Sequence, residues 1–378
     1  MNTYTSVGNE NSASIDHSKH HETQQRFANR RSFLGRAGYQ GGSAVRRLIP
    51  AIFALAALLV PLPAAAEPQF GPVQNFGPNL KSDCFKPEGI AVDPETGRVF
   101  TTSAPFSPGG LGTSMTGHIC VLSPEGKLID KISVKAGPSG AITMLGALFV
   151  PEEGLYVVDI GQGSANPAAT GGRLLKIDVN SHAVTTVAGG FSTPNDVVRD
   201  EDGNLYVSDS ARGVIYRVNP GGIVSVWSND PLLAQHGFIG VNDLAFDPGH
   251  TFLYTDNTDN HQLLRIPLRE DGSAGAAQIF ATNSPINGPQ GFPDGIKFDV
   301  KGNLYVCTIG LSQVQVISPT GQLVASLSGT GDNALDSPAS LAFKGRTLYI
   351  SDFSFLDGGV NSKVSRVRVP FPGLPLTG

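Results

Sequence analysis

The sequence predicts an all-β fold, a six-bladed β-propeller, on three observations. A hairpin unit recurs from residue 87 to the end of the chain, and its clearest copy is FPDGIKFDVKGNLYVC at residues 292–307. The aromatic residue of its second strand recurs at a nearly regular spacing, at Phe100, Tyr156, Tyr206, Tyr254, Tyr305 and Tyr349. The composition is rich in turn formers, with 46 Gly and 27 Pro and only 16% charged residues. Several short strands in each period of about fifty residues are typical of propeller blades.

The N-terminal segment, residues 1–66, has the three parts of an export signal. Residues 1–47 are polar and basic, the apolar run LIPAIFALAALLVPLPAAA follows at residues 48–66, and three alanines precede Glu67. The element RRSFL at residues 30–34 resembles a twin-arginine signal. An uncleaved membrane anchor is the alternative, because these 19 apolar residues can just span a bilayer. We expect residues 1–66 to be a signal peptide and the protein to be periplasmic or secreted.

The predicted mature chain is acidic. Residues 1–66 hold 7 of the 27 Lys and Arg residues and 3 of the 32 Asp and Glu residues, so 20 basic and 29 acidic residues remain and the net charge is −9. An acidic body argues against nucleic acid and anionic membrane surfaces as partners after signal removal. We expect a monomer that acts on a small molecule.

The propeller is predicted to occupy residues 81–378, and its last blade needs a strand from elsewhere. Two hairpin strands and a third strand at residues 363–369 are evident, but the remaining PFPGLPLTG is too rich in proline for a central strand. The lead-in at residues 67–80, EPQFGPVQNFGPNL, is expected to supply the missing strand, which would close the ring and cover its edge.

The residue just before the first strand of each hairpin is the candidate functional position. In four of the six copies it is polar and lies at nearly the same distance ahead of the blade aromatic, as Glu88, Asn195, Asn242 and Asp294. In the other two copies it is apolar, as Leu145 and Ala339. Because the innermost strands of a propeller surround one channel, we expect these six residues, the axial ring, to converge on the channel mouth.

The polar residues of the axial ring are two carboxylates and two carboxamides, without His or Cys. This oxygen donor set suits Ca²⁺, and to a lesser extent Mg²⁺ or Mn²⁺, whereas zinc prefers nitrogen and sulfur. Four protein oxygens would leave coordination positions open for water or substrate. We therefore predict a divalent-cation site in the central channel, held by Glu88, Asn195, Asn242 and Asp294. The alternative is that these side chains cap turns at the strand starts.

The order Glu, Asn, Asn, Asp, together with the PDG element at residues 293–295 and blade endings such as GNLYVSD, resembles a known family. It is similar to the SMP-30, gluconolactonase and regucalcin (LRE-like) six-bladed propellers, which are related to diisopropyl fluorophosphatase and the paraoxonases. The resemblance covers residues 81–369 and implies hydrolysis of a lactone or related ester at an axial calcium ion. Several relatives with two calcium ions carry an acidic residue three positions after the PDG aspartate. This chain has Lys297 there, so no second ion is expected at that place.

Asp294 is the candidate catalytic residue. A carboxylate beside the ion could act as a general base on water or as a nucleophile. If Asp294 were only a ligand, the base would be sought among water, His236 and strand-ending acids such as Asp209 and Asp256; His261 is a further loop histidine able to assist proton transfer. Two other functions remain open from sequence: a non-enzymatic ligand-binding propeller, and a strictosidine-synthase-like propeller that needs no metal ring.

The three cysteines show no spacing for zinc. Cys84 and Cys120 both fall within blade one, and export would permit a disulfide between them, although the sequence leaves this open. Cys307 lies on a strand of blade five and is expected to be a buried thiol.

Overall fold

Six antiparallel sheets of four strands each make up the propeller, one for every predicted repeat. The computed structural model describes residues 69–105, 114–162, 166–281 and 291–375. In the first five sheets the strand order follows the chain, because each strand is joined to the next by a short connection.

A short strand, β1 (Gln74–Asn75), precedes the first blade. Blade one contains β2 (Pro87–Val92), β3 (Val99–Ser103), β4 (Thr116–Leu122) and β5 (Leu128–Lys135). Blade two contains β6 (Met144–Val150), β7 (Gly154–Asp159), β8 (Gly172–Ile177) and β9 (Val184–Phe191). Blade three contains β10 (Pro194–Arg199), β11 (Leu205–Asp209), β12 (Val214–Val218) and β13 (Val224–Ser228).

Blade four contains β14 (Val241–Phe246), β15 (Phe252–Asn257), β16 (Gln262–Pro267) and β17 (Gln278–Ala281). Blade five contains β18 (Pro293–Phe298), β19 (Leu304–Thr308), β20 (Gln313–Ile317) and β21 (Leu323–Leu327). Blade six contains β22 (Pro338–Lys344), β23 (Thr347–Asp352), β24 (Lys363–Arg368) and the distant β1. Short 3-10 helices lie in the connections at Pro231–Leu233, Ile309–Leu311 and Gly331–Asn333.

The innermost strands contact one another in the order β2, β6, β10, β14, β18 and β22, and β22 contacts β2. The six sheets therefore close into a ring, and the predicted six-bladed propeller is confirmed. In blade six the outermost strand comes from the N-terminal side of the described chain, since Gln74 pairs with Arg366 and Asn75 pairs with Ser365 of β24.

Innermost and outermost strands differ in their pattern of apolar and polar residues because they are buried to different extents. The innermost strands are covered on both faces, so VNDLAF of β14 is buried throughout. An outermost strand such as LIDKISVK of β5 is largely solvent-exposed, and in its second half buried and exposed residues alternate. The core accordingly lies between adjacent blades.

The aromatic residues that mark the repeat contact aromatic rings of the next blade. The ring of Phe100 stacks on Phe149, with centroids 5.4 Å apart. Further edge-to-face contacts at 4.8 to 5.3 Å repeat this pairing between later blades, as Tyr206–Phe246, Tyr254–Phe298 and Tyr305–Phe343. Such pairs stabilise the interface beyond the area that they bury.

Each innermost strand carries a β-bulge at the same place, where two of its residues face one residue of the second strand. In blade three the register shifts between Pro194 and Val197, so Asn195 and Asp196 form the bulge. The other five blades shift at the equivalent position. The expectation that the axial ring precedes the first strands is therefore wrong: every ring residue lies inside its strand. A bulge adds a residue and re-aims side chains without ending the strand.

The predicted export signal at residues 1–66 lies outside the described residues. In the part of the chain that is described, no helix is both long and apolar enough to cross a membrane. Cys84 and Cys120 form a disulfide, with Cα atoms 6.0 Å apart. Cys307 is a free, buried thiol, which confirms the prediction for that residue.

Candidate functional site

The polar residues of the axial ring are buried, with 1% to 6% of their surface exposed. The structure brings two of them into direct contact across blades four and five, where Nδ2 of Asn242 donates to Oδ1 of Asp294 at 2.8 Å. Burial raises the pKa of Glu88, and the carboxylate of Asp294 lies near enough to raise it further. Asn195 occupies the same bulge position in blade three.

Three ring oxygens are buried and have no hydrogen-bond partner among the described residues: Oε2 of Glu88, Oδ1 of Asn195 and Oδ1 of Asn242. Leaving a buried acceptor unpaired costs about 1–3 kcal/mol, so three such atoms in one ring need an explanation. A hard cation is bound through oxygens of this kind. The residues present therefore fit a divalent ion of the calcium type.

Side chains of His, Cys, Asp and Glu do not assemble in groups of three or more able to hold a metal, as far as the chain is described. The axial ring contributes only two carboxylates, and carboxamides supply its other two oxygens. The ring therefore differs in composition from a site built on acidic, histidine and cysteine ligands alone.

The orientation of both carboxamides follows from their amide nitrogens. Nδ2 of Asn195 donates to Oγ of Ser210 at 3.1 Å, and Nδ2 of Asn242 donates to Oγ1 of Thr258 at 2.8 Å as well as to Asp294. The amide oxygens are thereby left free. Sequence reasoning missed both hydroxyls, although a signal exists: each lies four residues after its blade aromatic, Tyr206 or Tyr254.

Burial shifts the titration of the ring carboxyls. Burial raises the pKa of Asp294 to about 7; the hydrogen bond from Asn242 opposes this shift, and the charge of Asp196 adds to it. Burial also raises the pKa of Glu88 well above its usual range, and the carboxylates of Asp294, Asp243 and Asp196 add to the effect. A bound divalent cation would favour the ionised form of both carboxyls.

A charged layer lies next to the ring. Asp196 and Asp243 take the second position of their bulges, and Lys297 lies farther along β18, beyond the bulge of its strand. The ammonium of Lys297 contacts Oδ2 of Asp196 at 3.5 Å and Oδ2 of Asp243 at 3.6 Å. Burial opposes the charge of Lys297, but the two carboxylates outweigh it and raise its pKa. Gly146 makes room for the layer, because a Cβ there would clash with Oδ1 of Asp196. At the place where no second ion is expected, the chain therefore supplies an ammonium.

The backbone connects this layer to neighbouring blades. Oδ2 of Asp196 accepts the N–H of Leu244 at 3.1 Å, and Oδ2 of Asp243 accepts the N–H of Ile296 at 3.1 Å. Each aspartate thus ties its own inner strand to the next one. Sequence reasoning missed Asp196 and Asp243 because a regular strand would turn them away from the side that Asn195 and Asn242 face.

The other candidate bases take different places. His236 donates its backbone N–H to Asp259 at 2.9 Å. Nδ1 of His261 accepts the N–H of Phe292 at 3.1 Å, and burial lowers the pKa of His261. Asp256 lies beside the charged layer and accepts the N–H of Asp243 at 3.1 Å. Burial, followed by the charges of Asp243 and Asp294, raises the pKa of Asp256 well above its usual range.

A cavity of about 320 Å³ lies in the channel beyond the charged layer. Its walls are the last residues of the innermost strands, among them Val92, Phe149, Phe246 and Phe298, and Leu374 near the C-terminus lines it as well. The cavity is therefore mostly apolar, and it is on the other side of Lys297 from the ring. Its polar lining residues are Arg199, Glu201, His250 and Lys297.

Residues 144–353 match the family model of the SMP-30/gluconolactonase/LRE-like region, which covers more than half of the 378 residues. The chain belongs to this family. The resemblance carried by the ring residues and the PDG element is thereby confirmed at the level of the family.

Named members of the family are similar over part of the chain. The 6-deoxy-6-sulfogluconolactonase of Pseudomonas putida is 32% identical over 142 residues, which are 35% of this chain and 47% of that protein. The gluconolactonase of Zymomonas mobilis is 28% identical over 174 residues, 43% of this chain and 48% of that protein. The chain spans about half the length of these curated relatives.

Solved structures of family members share the fold. Regucalcin of Agrobacterium tumefaciens strain C58, described as a calcium-binding protein, superposes with a TM-score of 0.54 at 17% identity, covering 78% of this chain and 95% of that one. At this level of identity the similarity establishes the propeller fold.

Proposed function

We propose that this protein is an exported, calcium-dependent hydrolase that opens a lactone or related ester at the axial ring. The observation that carries the proposal is the set of three buried ring oxygens beside the carboxyl of Asp294, which have no hydrogen-bond partner in the part of the chain that the structure describes. Family membership supports the reaction class.

Glu88, Asn195, Asn242 and Asp294 would hold the ion, with Mg²⁺ or Mn²⁺ as less favoured occupants. When bound, such a cation polarises a carbonyl and stabilises developing negative charge on its oxygen. The buried ring would strengthen that effect, since few waters can screen charges there.

Asp294 is proposed as the general base. Without the cation, burial raises the pKa of its carboxyl to about 7, and a bound cation would lower that pKa. Substrate binding would therefore have to loosen the contact between Asp294 and the ion before the carboxylate accepts a proton. It would take a proton from the attacking water while oxygen bonds to the lactone carbonyl carbon. The ring C–O bond then breaks, and the proton passes to the departing oxygen, which leaves an open-chain hydroxy acid. Asn242 holds Asp294 in place through the 2.8 Å hydrogen bond.

Sugar lactones are the first substrates to test. The two curated relatives are named for gluconolactone and 6-deoxy-6-sulfogluconolactone. The protein, purified after expression of its full sequence, should hydrolyse an aldonolactone above the spontaneous rate; chelator should abolish the excess rate and added Ca²⁺ should restore it. A panel of aryl esters and phosphotriesters tests the breadth of the site. Binding of Ca²⁺ without hydrolysis of any of these would instead favour a ligand-binding propeller.

Export is proposed from the basic region and the apolar run that ends at Ala66. The Cys84–Cys120 disulfide supports it, because such bonds persist in oxidising compartments. Mass spectrometry of the exported protein should find an N-terminus near Glu67. An intact, membrane-bound chain would support the anchor instead.

A further inference from the structure

We propose that Ser210 and Thr258 are positioning residues that orient the two ring carboxamides so that their oxygens point to the cation. This inference rests on the proposed cation site and extends it to residues that would not touch the ion.

The two hydroxyls have the same place and the same bonds in successive blades. Oγ of Ser210 accepts from Nδ2 of Asn195 at 3.1 Å and donates to the carbonyl of Val241 at 2.7 Å. Oγ1 of Thr258 accepts from Nδ2 of Asn242 at 2.8 Å and donates to the carbonyl of Pro293 at 2.9 Å. Val241 and Pro293 each precede the ring residue of the next blade.

The direction of each bond follows from counting protons. A hydroxyl has one proton, and a backbone carbonyl can only accept, so the proton of each hydroxyl is committed to the next blade. The hydroxyl can then only accept from the carboxamide, which must present its NH₂ group. The amide oxygen is therefore turned to the opposite side, where none of the described residues hydrogen-bonds to it.

Turning a carboxamide over, so that its oxygen and nitrogen exchange places, would have two costs. It would place the amide oxygen against the hydroxyl oxygen, where neither atom has a proton to give. It would also turn the NH₂ group toward the place of the cation, where it would repel the ion. The hydroxyl of Thr258 can also donate to Oδ2 of Asp256, 3.3 Å away. In that case its proton is again used, and the hydroxyl can still only accept from Asn242.

The distribution of hydroxyls around the propeller supports a specific role. The residue after the second strand is described in all six blades, and only the two blades with ring carboxamides have a hydroxyl there. In the other blades this residue is apolar, as Ala104, Ile160, Ile309 and Phe353. Their ring residues, Glu88, Leu145, Asp294 and Ala339, are not carboxamides and need no such orientation.

The two carboxamides differ in how strongly they depend on their hydroxyls. Asn242 has a second anchor, because its Nδ2 also donates to Asp294 at 2.8 Å. The structure assigns Nδ2 of Asn195 a hydrogen bond to Ser210. We therefore expect the loss of Ser210 to matter more than the loss of Thr258.

The test is the dissociation constant for Ca²⁺, measured by calorimetry on the cation-free protein well below its unfolding temperature. Ser210→Ala should weaken binding by about 10- to 100-fold, the range found when groups that orient metal ligands are removed. Thr258→Val should weaken binding less than Ser210→Ala does. Thr258→Ser should have nearly normal affinity, because serine keeps the hydroxyl.

Thr102→Val is the matched control. The hydroxyl of Thr102 also ties two blades, since it donates to the carbonyl of Leu145 at 2.9 Å and accepts the N–H of Gly89 at 2.8 Å. It bonds no ring side chain. This variant should lose stability while its affinity for Ca²⁺ stays within about twofold, which separates orientation from a purely structural role.

A double variant tests orientation directly. Aspartate has two equivalent oxygens, so in an Asn195→Asp background the orientation that Ser210 imposes should no longer matter. Adding Ser210→Ala to Asn195→Asp should then cause no further loss of affinity relative to the single Asn195→Asp variant. This comparison also tests the orientation if the single Ser210→Ala variant folds poorly.

The outcomes distinguish this inference from the proposed function. If wild-type protein binds Ca²⁺ and Ser210→Ala binds it equally well, the inference is wrong and the proposed function stands. An equal loss of affinity in the Asn and Asp backgrounds would also overturn it. If wild-type protein binds no divalent cation, both proposals fail.

Discussion

Asp294 combines two demands at one residue. It lies in the bulge of β18, accepts a hydrogen bond from Asn242 and is almost fully buried. As a ligand Asp294 should be ionised, whereas as a base it should hold a proton briefly. Its pKa is about 7 in the cation-free protein, and a bound cation would lower that pKa. Substrate binding would therefore have to loosen its contact with the ion.

Substitution of Asp294 by Asn should separate ligation from proton transfer. Asp294→Asn keeps an oxygen ligand but cannot accept the proton, so we expect Ca²⁺ to bind while kcat falls by about 10² to 10⁴. Asn242→Asp is the comparison, since it adds a third carboxylate and tightens the ion while residue 294 keeps its carboxylate, although the hydrogen bond from Nδ2 to Asp294 is lost. Measuring Ca²⁺ affinity together with kcat distinguishes the two. Near-normal turnover of Asp294→Asn at saturating Ca²⁺ would make Asp294 a ligand only.

The stability of the cation-free protein should depend on pH through the same carboxyl. Because burial raises the pKa of Asp294 to about 7, the folded state keeps a proton that the unfolded state has lost above pH of about 4. Stability should therefore fall as pH rises from about 4 to about 7, with Asp294 contributing on the order of 4 kcal/mol. Unfolding midpoints in chelator across this range measure the fall.

Added Ca²⁺ should reduce this loss of stability, because the ion replaces the proton. Glu88 is shifted in the same direction and should add to the effect. Asp294→Asn is the control, since it removes the titrating group. A cation-free protein whose stability rises steadily from pH 4 to pH 7 would contradict the prediction.

At the scale of the element, the bulge and the end of the second strand together shape each blade. The bulge makes two consecutive residues, such as Asn195 and Asp196, depart from the alternation of a regular strand. In blades two and three the last residue of the second strand is an aspartate that holds the loop ahead of the bulge. Asp209 does so by accepting the N–H groups of Ser192 and Thr193 at 2.8 and 3.1 Å.

Asp159 allows a test of this loop anchoring in blade two. It accepts the N–H groups of Thr143 and Gly161 at 3.0 and 2.8 Å and pairs with Arg173 at 2.5 Å while fully buried. Asp159→Ala should therefore cost about 3–5 kcal/mol in the free energy of unfolding. Asp159→Asn should cost less, because it keeps an acceptor for the loop. Urea unfolding measures both.

A surface ion pair provides the control for Asp159. Asp130 and His182 are 2.8 Å apart, but both side chains are 40% exposed. Asp130→Ala should change the free energy of unfolding by less than about 1 kcal/mol. Equal costs for Asp130→Ala and Asp159→Ala would mean that burial of the loop anchor is unimportant.

At the scale of the whole molecule, the circle of six blades is closed where blade six meets blade one, a junction called the seam below. The segment before β2 pairs with β24 through β1, and its Phe76 contacts the ring of Tyr349 with centroids 4.9 Å apart. The same segment is joined to blade one by the disulfide between Cys84 and Cys120. The seam is thus held by strand pairing, packing and a covalent bond.

Removal of the disulfide should weaken this seam. The bond closes a loop with a sequence separation of 36, so Cys84→Ser together with Cys120→Ser should lower the free energy of unfolding by about 2–4 kcal/mol. Urea unfolding of oxidised wild-type and variant protein measures the difference. A reductant should destabilise the wild type toward the variant and leave the variant unchanged. Equal stability of the two oxidised proteins would contradict the role of the seam.

The sequence by itself determined the blades and the composition of the ring. Six hairpins with a periodic aromatic are local patterns, and burial of those aromatics between blades requires the spacing that the sequence shows. The sequence also shows the constant distance between each polar ring residue and the aromatic of its blade, because both lie in the same hairpin. These ring residues are Glu88, Asn195, Asn242 and Asp294.

Only the tertiary structure decided how these residues are held. Asn242 meets Asp294 across 52 residues, and the ammonium of Lys297 reaches Asp196 from two blades away. The hydroxyl of Ser210 meets Asn195 across a bulge that no local pattern marks. Side-chain direction changes with one added residue, and contacts between blades depend on ring closure. Neither can be derived from the spacing within a single repeat.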